Sequence, residues 1–526
     1  MGTYRNPILP GFYPDPSVCR AGEDYYLVTS TFEYFPGVPV FHSRDLVDWE
    51  LIGHCLTRPE HVPLGGSRAS GGIFAPTIRY HDGRFYMVVT NVTGGGHFYV
   101  WTEDPAGEWS DPIWVDTGVF GIDPSLFFDD DGTCYFSATG MGSLVQCPID
   151  IATGKALEAP RPAWQGTGGS FPEAPHLYKF HGAYYMMLAE GGTERGHMVT
   201  IARGPTPYGP WEACPHNPIL THRSTGRPIQ STGHADLFEA HDGSWWIVFL
   251  ATRPHGQYPL FHNLGRETNI APVRWTNDGW PVVGVDGRAE VESEAPAFAT
   301  SVRRRWDEPT EDTFAGDRLP LYWNWLRNPD MANYRLGERP GWLRLLGTGV
   351  TLNETESPTF VGRRQQHHQM VASAQLDFSP ERDGDEAGLT VLMNDRHHYE
   401  IAITRDADSR IVITRRTIGS LSVITATRPL LDSGVVTLSI EAQLPPGAEP
   451  RAHAGGEPVY VLSMSVNGGP AEELDRPEMR YIATEVAGGF TGAYLGMYAT
   501  GNGASCSVPA DFTAFRYQPL GLESPA

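Results

Sequence analysis

One small unit recurs five times in the first half of this chain and limits what it can fold into. A glycine turn is followed at once by an aromatic-rich strand. The copies are Gly22 before Tyr25-Tyr26-Leu27-Val28, Gly83 before Phe85-Tyr86-Met87-Val88, Gly132 before Cys134-Tyr135-Phe136, Gly182 before Tyr184-Tyr185-Met186-Met187, and Gly243 before Trp245-Trp246-Ile247-Val248. Each reads as a hairpin of strand, Asp/His/Gly turn and strand. The turn glycines stand 49 to 61 residues apart, which is room for one four-stranded blade per copy. Five such units predict a five-bladed β-propeller.

The repeat also aligns residues that are distant in the chain. Nine positions before the turn glycine lies the start of the preceding strand, at Phe74, Asp123, Glu173 and His234 in four copies. The first hairpin is shorter by two, and matching Asp15-Pro16-Ser17 to Asp123-Pro124-Ser125 supplies Asp15. The innermost strands of a propeller converge on its axis, so these five residues are expected in one ring. A weaker echo is Asn6-Pro7-Ile8-Leu9, which returns as Asn217-Pro218-Ile219-Leu220.

At 526 residues the chain is too long for a single core. The texture changes between Glu290 and Pro309, where acids and alanines give way to Arg303-Arg304-Arg305. Residues 1–295 are therefore expected to form the propeller, 296–310 a linker and 311–526 a second domain. In the second domain alternating runs dominate: Gln369 to Phe378, Gly388 to Met393, Tyr399 to Thr404, Ile411 to Thr414 and Val436 to Ala442. Loop-like breaks fall at Pro380 to Gly384 and at Pro445 to Gly456. This pattern, with no sustained helical period anywhere, predicts a β-sandwich and an all-β chain.

The net charge of −23 counts against nucleic acid and anionic membranes as partners, because either needs a basic surface. The six cysteines show no metal-binding spacing and read as reduced core thiols. No apolar leader and no run of about 18 apolar residues occurs. The expected protein is cytoplasmic, and the sequence leaves its oligomeric state open.

Three of the five ring positions are carboxylates. Two carboxylates hydrolyse a glycoside without a cofactor, one protonating the leaving oxygen and the other activating water or attacking directly. A single Asp-Pro is ordinarily a turn or strand cap. Three acids converging on one axis raise one another's pKa and cost stability, which favours a catalytic reading. Glu173, between Pro172 and Pro175 in Ser170-Phe171-Pro172-Glu173-Ala174-Pro175-His176, is the candidate proton donor. His234 is either an axial ion or water site, a substrate contact, or a satisfied core histidine. Phe32 and Phe74 are either core or an apolar wall for a sugar ring. Arg266 either points inward to sugar hydroxyls or a carboxylate, or pairs with its neighbour Glu267. Phosphate-cradling loops with Lys, Gly-x-Ser-x-Gly and His-Glu-x-x-His are absent. Asp129-Asp130-Asp131-Gly132 reads as a hairpin turn rather than a calcium loop.

Asn6 to Ser17, Ser30 to Gly37, Ser70 to Thr77, Gly121 to Leu126, Pro172 to Tyr178, Thr232 to Leu237 and Leu264 to Thr268 together resemble glycoside hydrolase family 43. The likeness is strongest to its two-domain β-xylosidases and α-L-arabinofuranosidases, whose second domain is a lectin-like β-sandwich. The resemblance implies an inverting, exo-acting hydrolase that needs no cofactor and takes an oligosaccharide substrate. It would release xylose, or arabinose, from non-reducing ends. It matches Asp15 to the general base, Glu173 to the general acid and Asp123 to the carboxylate that orients the acid. Arg266 matches a substrate-binding arginine, and His234 an axial histidine that in some relatives holds calcium or water. Phe490, in Gly488-Gly489-Phe490-Thr491, matches an aromatic residue of the sandwich that closes the pocket. The chain departs from the family where Phe74 replaces a larger aromatic, Ala174 a glycine and Asn269 an apolar residue. Readings from other classes are a non-catalytic sugar-binding propeller, which would not require both Asp15 and Glu173, and a retaining fructosyl hydrolase.

Overall fold

All five turn glycines have positive φ, between 68° and 86°. A Cβ added at Gly22, Gly83, Gly132 or Gly182 would meet nothing within 4 Å, so the conformation, and not space, demands glycine. At Asp82-Gly83 and His181-Gly182 both residues have positive φ, as the tightest hairpins require. The computed structural model describes residues 2–140, 142–256, 258–300, 303–407, 409–431, 434–445 and 456–521.

These hairpins form the inner half of five four-stranded sheets. Blade 1 contains Ser17–Ala21, Asp24–Val28, Gly37–Ser43 and Glu50–Leu56, and blade 2 contains Thr77–His81, Arg84–Asn91, Gly96–Thr102 and Ile113–Trp114. Blade 3 comprises Gly121–Phe128, Cys134–Gly140, Leu144–Ile149 and Arg161–Pro162. Blade 4 comprises Glu173–Phe180, Ala183–Glu190, Met198–Gly204 and Glu212–Ala213, and blade 5 Gln230–Glu239, Trp245–Thr252, Glu267–Trp275 and Pro281–Val283. Each innermost strand packs on the next, and Gln230–Glu239 returns to Ser17–Ala21.

The two Asn-Pro-Ile-Leu segments do equivalent work. Asn217 accepts from the Ile201 N–H and donates to the Ile201 carbonyl, both at 2.9 Å. Asn6 does the same to Ile270, at 2.9 and 2.8 Å. Each amide side chain therefore completes the third strand of the preceding blade as a short piece of extra strand would. Thr3–Arg5 also pairs with Glu292–Glu294, tying the N-terminus to the end of the propeller.

The stretch read as a linker is pinned to blade 1. Arg305 donates to both oxygens of Asp48, Phe298 stacks on Tyr25, and Trp306 packs against Tyr13 and Phe41. Residues 301 and 302 of that stretch, residue 1, and 522–526 at the end of the second domain lie outside the described residues. So do 446–455 of the break expected at Pro445 to Gly456.

The second domain is the expected sandwich. One sheet runs Thr359–Arg364, Tyr494–Thr500, Glu386–Asn394, His397–Asp406, Ser409–Ile418, Leu421–Pro429. The other is built around Ala510–Pro519, Met370–Asp377, Val436–Gln443 and Val459–Val466. Met370–Asp377 buries every second residue, and Leu376, Leu389, Val391, Ile401, Leu438 and Leu462 fill the space between the sheets. A four-residue α-helix, Thr484–Ala487, is too short to leave a period in the sequence. Trp325–Leu326 pairs with Tyr34–Phe35 of the propeller, and Tyr494 stacks on Tyr34 at 3.9 Å. Five cysteines are buried and Cys506 is half-buried, all as free thiols.

Candidate active site

All five ring positions line one cavity of about 600 Å³: Asp15, Phe74, Asp123, Glu173 and His234. Phe32, Arg266 and Phe490 line it too. At Asp123, Glu173 and His234 the inner strands break their pairing. The register shifts between Ile122 and Ser125, between Glu173 and His176, and on both sides of Gly233. Asp15, Asp123 and His234 have φ of 54°, 52° and 45°, and Ala174, beside Glu173, has 52°. Each bulge turns a side chain out of the alternation and toward the mouth of the ring. A non-glycine residue in this region costs about 1 kcal/mol, so the strain is concentrated on the candidate chemistry.

Asp15 is buried and held by three elements. Ser30 Oγ donates to Oδ2 at 2.5 Å. Arg266 Nη1 donates to Oδ1 at 2.8 Å and Nη2 to Oδ2 at 3.3 Å. His234 Nδ1 lies 3.5 Å from Oδ1. Burial pushes the Asp15 carboxyl up, but Arg266, His234 and the Ser30 hydroxyl outweigh it and hold it below the ordinary range. Glu173 has the opposite environment. Burial, then the Asp15 charge, raise it to about 7 against the pull of Arg266. Asp123 is raised well above its ordinary value by burial, Glu173 and Asp15, with Arg266 opposing. One acid is thus ionised and the other two keep protons toward neutrality, the division that acid–base hydrolysis requires.

Arg266 does not pair with Glu267. That carboxylate takes two hydrogen bonds from Arg253, at 2.6 and 2.7 Å, and one from the Gly11 N–H. Arg266 faces inward, as the other reading expected, and also donates to Thr193 Oγ1 at 3.1 Å. Phe32 and Phe74 lie 5.1 Å apart, and Phe490 reaches from the sandwich to stack on Phe32 at 5.8 Å. The Phe490 N–H donates to Ser70 Oγ, and the Ser70 N–H donates to the buried Glu33 carboxylate.

Several residues around the cavity gave no sequence signal. The His197 ring rests on Gly233, where a Cβ would come within 2.3 Å of it, and its Nδ1 meets the Ser231 carbonyl at 3.0 Å. Glu190 accepts from the N–H groups of Thr167 and Gly169 and from Thr200 Oγ1, fixing the loop that leads to Glu173. Neither residue occupies a repeated position, and their roles depend on loop paths that the blade pattern does not fix.

Arg79 was missed as well. Extending from blade 2, it donates to both oxygens of Asp236 in blade 5, at 2.8 and 3.2 Å, to His176 Nδ1 in blade 4 at 2.8 Å, and to Ser17 Oγ in blade 1 at 3.2 Å. Its guanidinium therefore lies across the axis. Burial keeps His176 neutral, with its pKa lowered to about 3, so it accepts from Arg79. This arrangement bears on the axial calcium that the resemblance implies. Calcium needs several oxygen donors. The carboxylates near His234, Asp15 and Asp236, are each already held by an arginine. Among the described residues no group of three His, Cys, Asp or Glu side chains is placed to hold a metal ion. Arg79 places a positive charge on the axis, paired with Asp236.

Residues 4–281 match the family model of glycosyl hydrolases family 43. The chain belongs to that family. In this family 43 glycoside hydrolase, residues 311–518 match the β-xylosidase C-terminal concanavalin A-like domain. It is 45% identical over 525 residues to a non-reducing end α-L-arabinofuranosidase of Bacteroides ovatus, covering 98% of this chain and 95% of that one. It is 39% identical to a xylosidase/arabinosidase of Butyrivibrio fibrisolvens, covering 98% and 99%. Among solved structures it superposes on the Bacteroides ovatus protein described as xyloglucan PUL GH43B with a TM-score of 0.92 and 43% identity, covering 99% of this chain and all of the other.

Proposed function

We propose that the enzyme removes single pentose residues, α-L-arabinofuranosyl or β-D-xylopyranosyl, from the non-reducing ends of oligosaccharides with inversion. Asp15 takes a proton from water as the water oxygen bonds to the anomeric carbon. The glycosidic C–O bond breaks, and Glu173 gives its proton to the leaving oxygen. Asp123, whose own carboxyl is raised by burial and by Glu173 and Asp15, orients the acid, while burial and the Asp15 charge keep the Glu173 pKa high. Arg266 keeps Asp15 ionised and lines the cavity where the sugar would lie. The observation that carries this reading is the opposite tuning of Asp15 and Glu173 in one cavity. Closure of the cavity by Phe32, Phe74 and Phe490 supports exo action. The names of the two relatives, one an arabinofuranosidase and one a xylosidase/arabinosidase, support both pentoses.

Proton NMR of a fresh digest tests the proposal. Inversion gives β-L-arabinose first from an α-L-arabinofuranoside and α-D-xylose first from xylobiose. The opposite anomer appearing first would require one acid to be a nucleophile. Binding without turnover of either sugar would favour the sugar-binding propeller instead.

A further inference from the structure

Phe171 stands two residues before Glu173 and has no part in the mechanism above. It is 67% exposed. Among the exposed large apolar residues described, it alone lines the catalytic cavity. Its φ is 50°, which is rare for a bulky side chain and directs attention to function. The ring is not loose. It lies on Gly192, where a Cβ would sit 3.3 Å from the ring edge. The Gly191 N–H donates to the Ser170 carbonyl at 2.7 Å, joining the two loops. The next residue of that turn, Thr193, accepts from Arg266.

The cavity is graded from its floor to its rim. Asp15, Asp123 and Phe32 are buried, so the sugar that is released occupies the closed end. Its leaving group must then point past Glu173 toward solvent, where the exposed Phe171 ring lines the cavity. The axial C–H groups of a pyranose ring are slightly positive, and the face of an aromatic ring is negative. Polar side chains for hydroxyl groups stand on the same rim: Glu194, Arg195, and His262, whose Nδ1 meets Glu485 at 2.8 Å.

Resting on the glycosidase reading, we propose that Phe171 is the stacking platform of a leaving-group subsite that binds the apolar face of a pyranose ring. The residue therefore favours disaccharide and longer substrates over glycosides with small leaving groups.

The test compares each disaccharide with the methyl glycoside of the same pentose: xylobiose with methyl β-D-xyloside, and an arabinofuranosyl-xylose disaccharide with methyl α-L-arabinofuranoside. Both members of a pair have an alkoxide leaving group and need the proton from Glu173 equally. For Phe171→Ala, the ratio of kcat/KM on the disaccharide to that on the methyl glycoside should fall at least tenfold, mainly through KM. Phe171→Tyr should restore the ratio. Equal loss on both members would mean that Phe171 only positions Glu173, and no loss on either would remove the subsite; both overturn the proposal. Failure of the wild-type enzyme to hydrolyse any of the four compounds would overturn the glycosidase reading, a different result from either.

Discussion

Arg266 grips both carboxylate oxygens of Asp15, although 251 positions separate them in the chain. The pair joins the last blade to the first at the cavity floor. It also explains how a fully buried carboxylate stays ionised close to two other acids. Arg266→Lys keeps a charge but loses the planar fork. The Asp15 pKa should then rise by about one unit or more. A base works only above its pKa, so the acidic limb of the kcat/KM profile should move to higher pH, with a loss of about 100-fold at the optimum. A profile whose acidic limb stays in place would show that Arg266 serves the sugar alone.

Glu173 sets the other limb. It donates a proton only below its raised pKa, so kcat/KM should fall as pH rises through about 7. The same shift carries a stability cost. Between the ordinary carboxyl value of 4.5 and about 7 the folded protein binds the proton more tightly than the unfolded chain. Stability contributed by this site is therefore lost as pH rises through that window. Glu173→Gln removes the charge. It should raise the melting temperature by about 2 °C or more at pH 8 and leave it unchanged near pH 4. A variant no more stable than wild type at pH 8 would mean that Glu173 is not strained by its neighbours.

The axial network makes a separate prediction. Asp236 is fully buried and depends on Arg79, His176, Ser17 and Tyr178. Arg79→Met leaves that carboxylate without its cation and should destabilise the propeller by about 3–5 kcal/mol in urea denaturation. Because Arg79 provides the positive charge on the axis, prolonged treatment with EDTA should leave kcat/KM unchanged. A loss restored by added calcium would contradict this account of the axis.

The ring of Asp15, Phe74, Asp123, Glu173 and His234 was legible because a propeller repeats in sequence what it repeats in space. Alternation likewise revealed the sandwich strands. What escaped was set by geometry that no period encodes. Arg79 looks like any strand residue until four blades converge on it, and Glu190 and His197 act through loops of unequal length. The helix Thr484–Ala487 is a single turn. The sequence alone leaves Arg266 two orientations, since its neighbour Glu267 offers an ion pair that Arg253 in fact takes. Ala174 adopts a φ of 52°, a conformation in which glycine would be free of strain.

Phe490 enters the cavity from a different domain, and its own N–H makes a hydrogen bond across the interface. Its N–H donates to Ser70 Oγ at 2.8 Å, while the Ser70 N–H is fixed by Glu33 at 3.0 Å. A net hydrogen bond contributes about 1 kcal/mol, so Ser70→Ala should raise KM about fivefold with little change in kcat. Phe490→Ala should raise it further, because the aromatic wall itself is lost. If Ser70 acts by holding Phe490, the two changes must not add: Ser70→Ala should cost almost nothing in the Phe490→Ala background. Full additivity in that cycle would show that Ser70 shapes the pocket by another route, and that the sandwich closes it without help from blade 2.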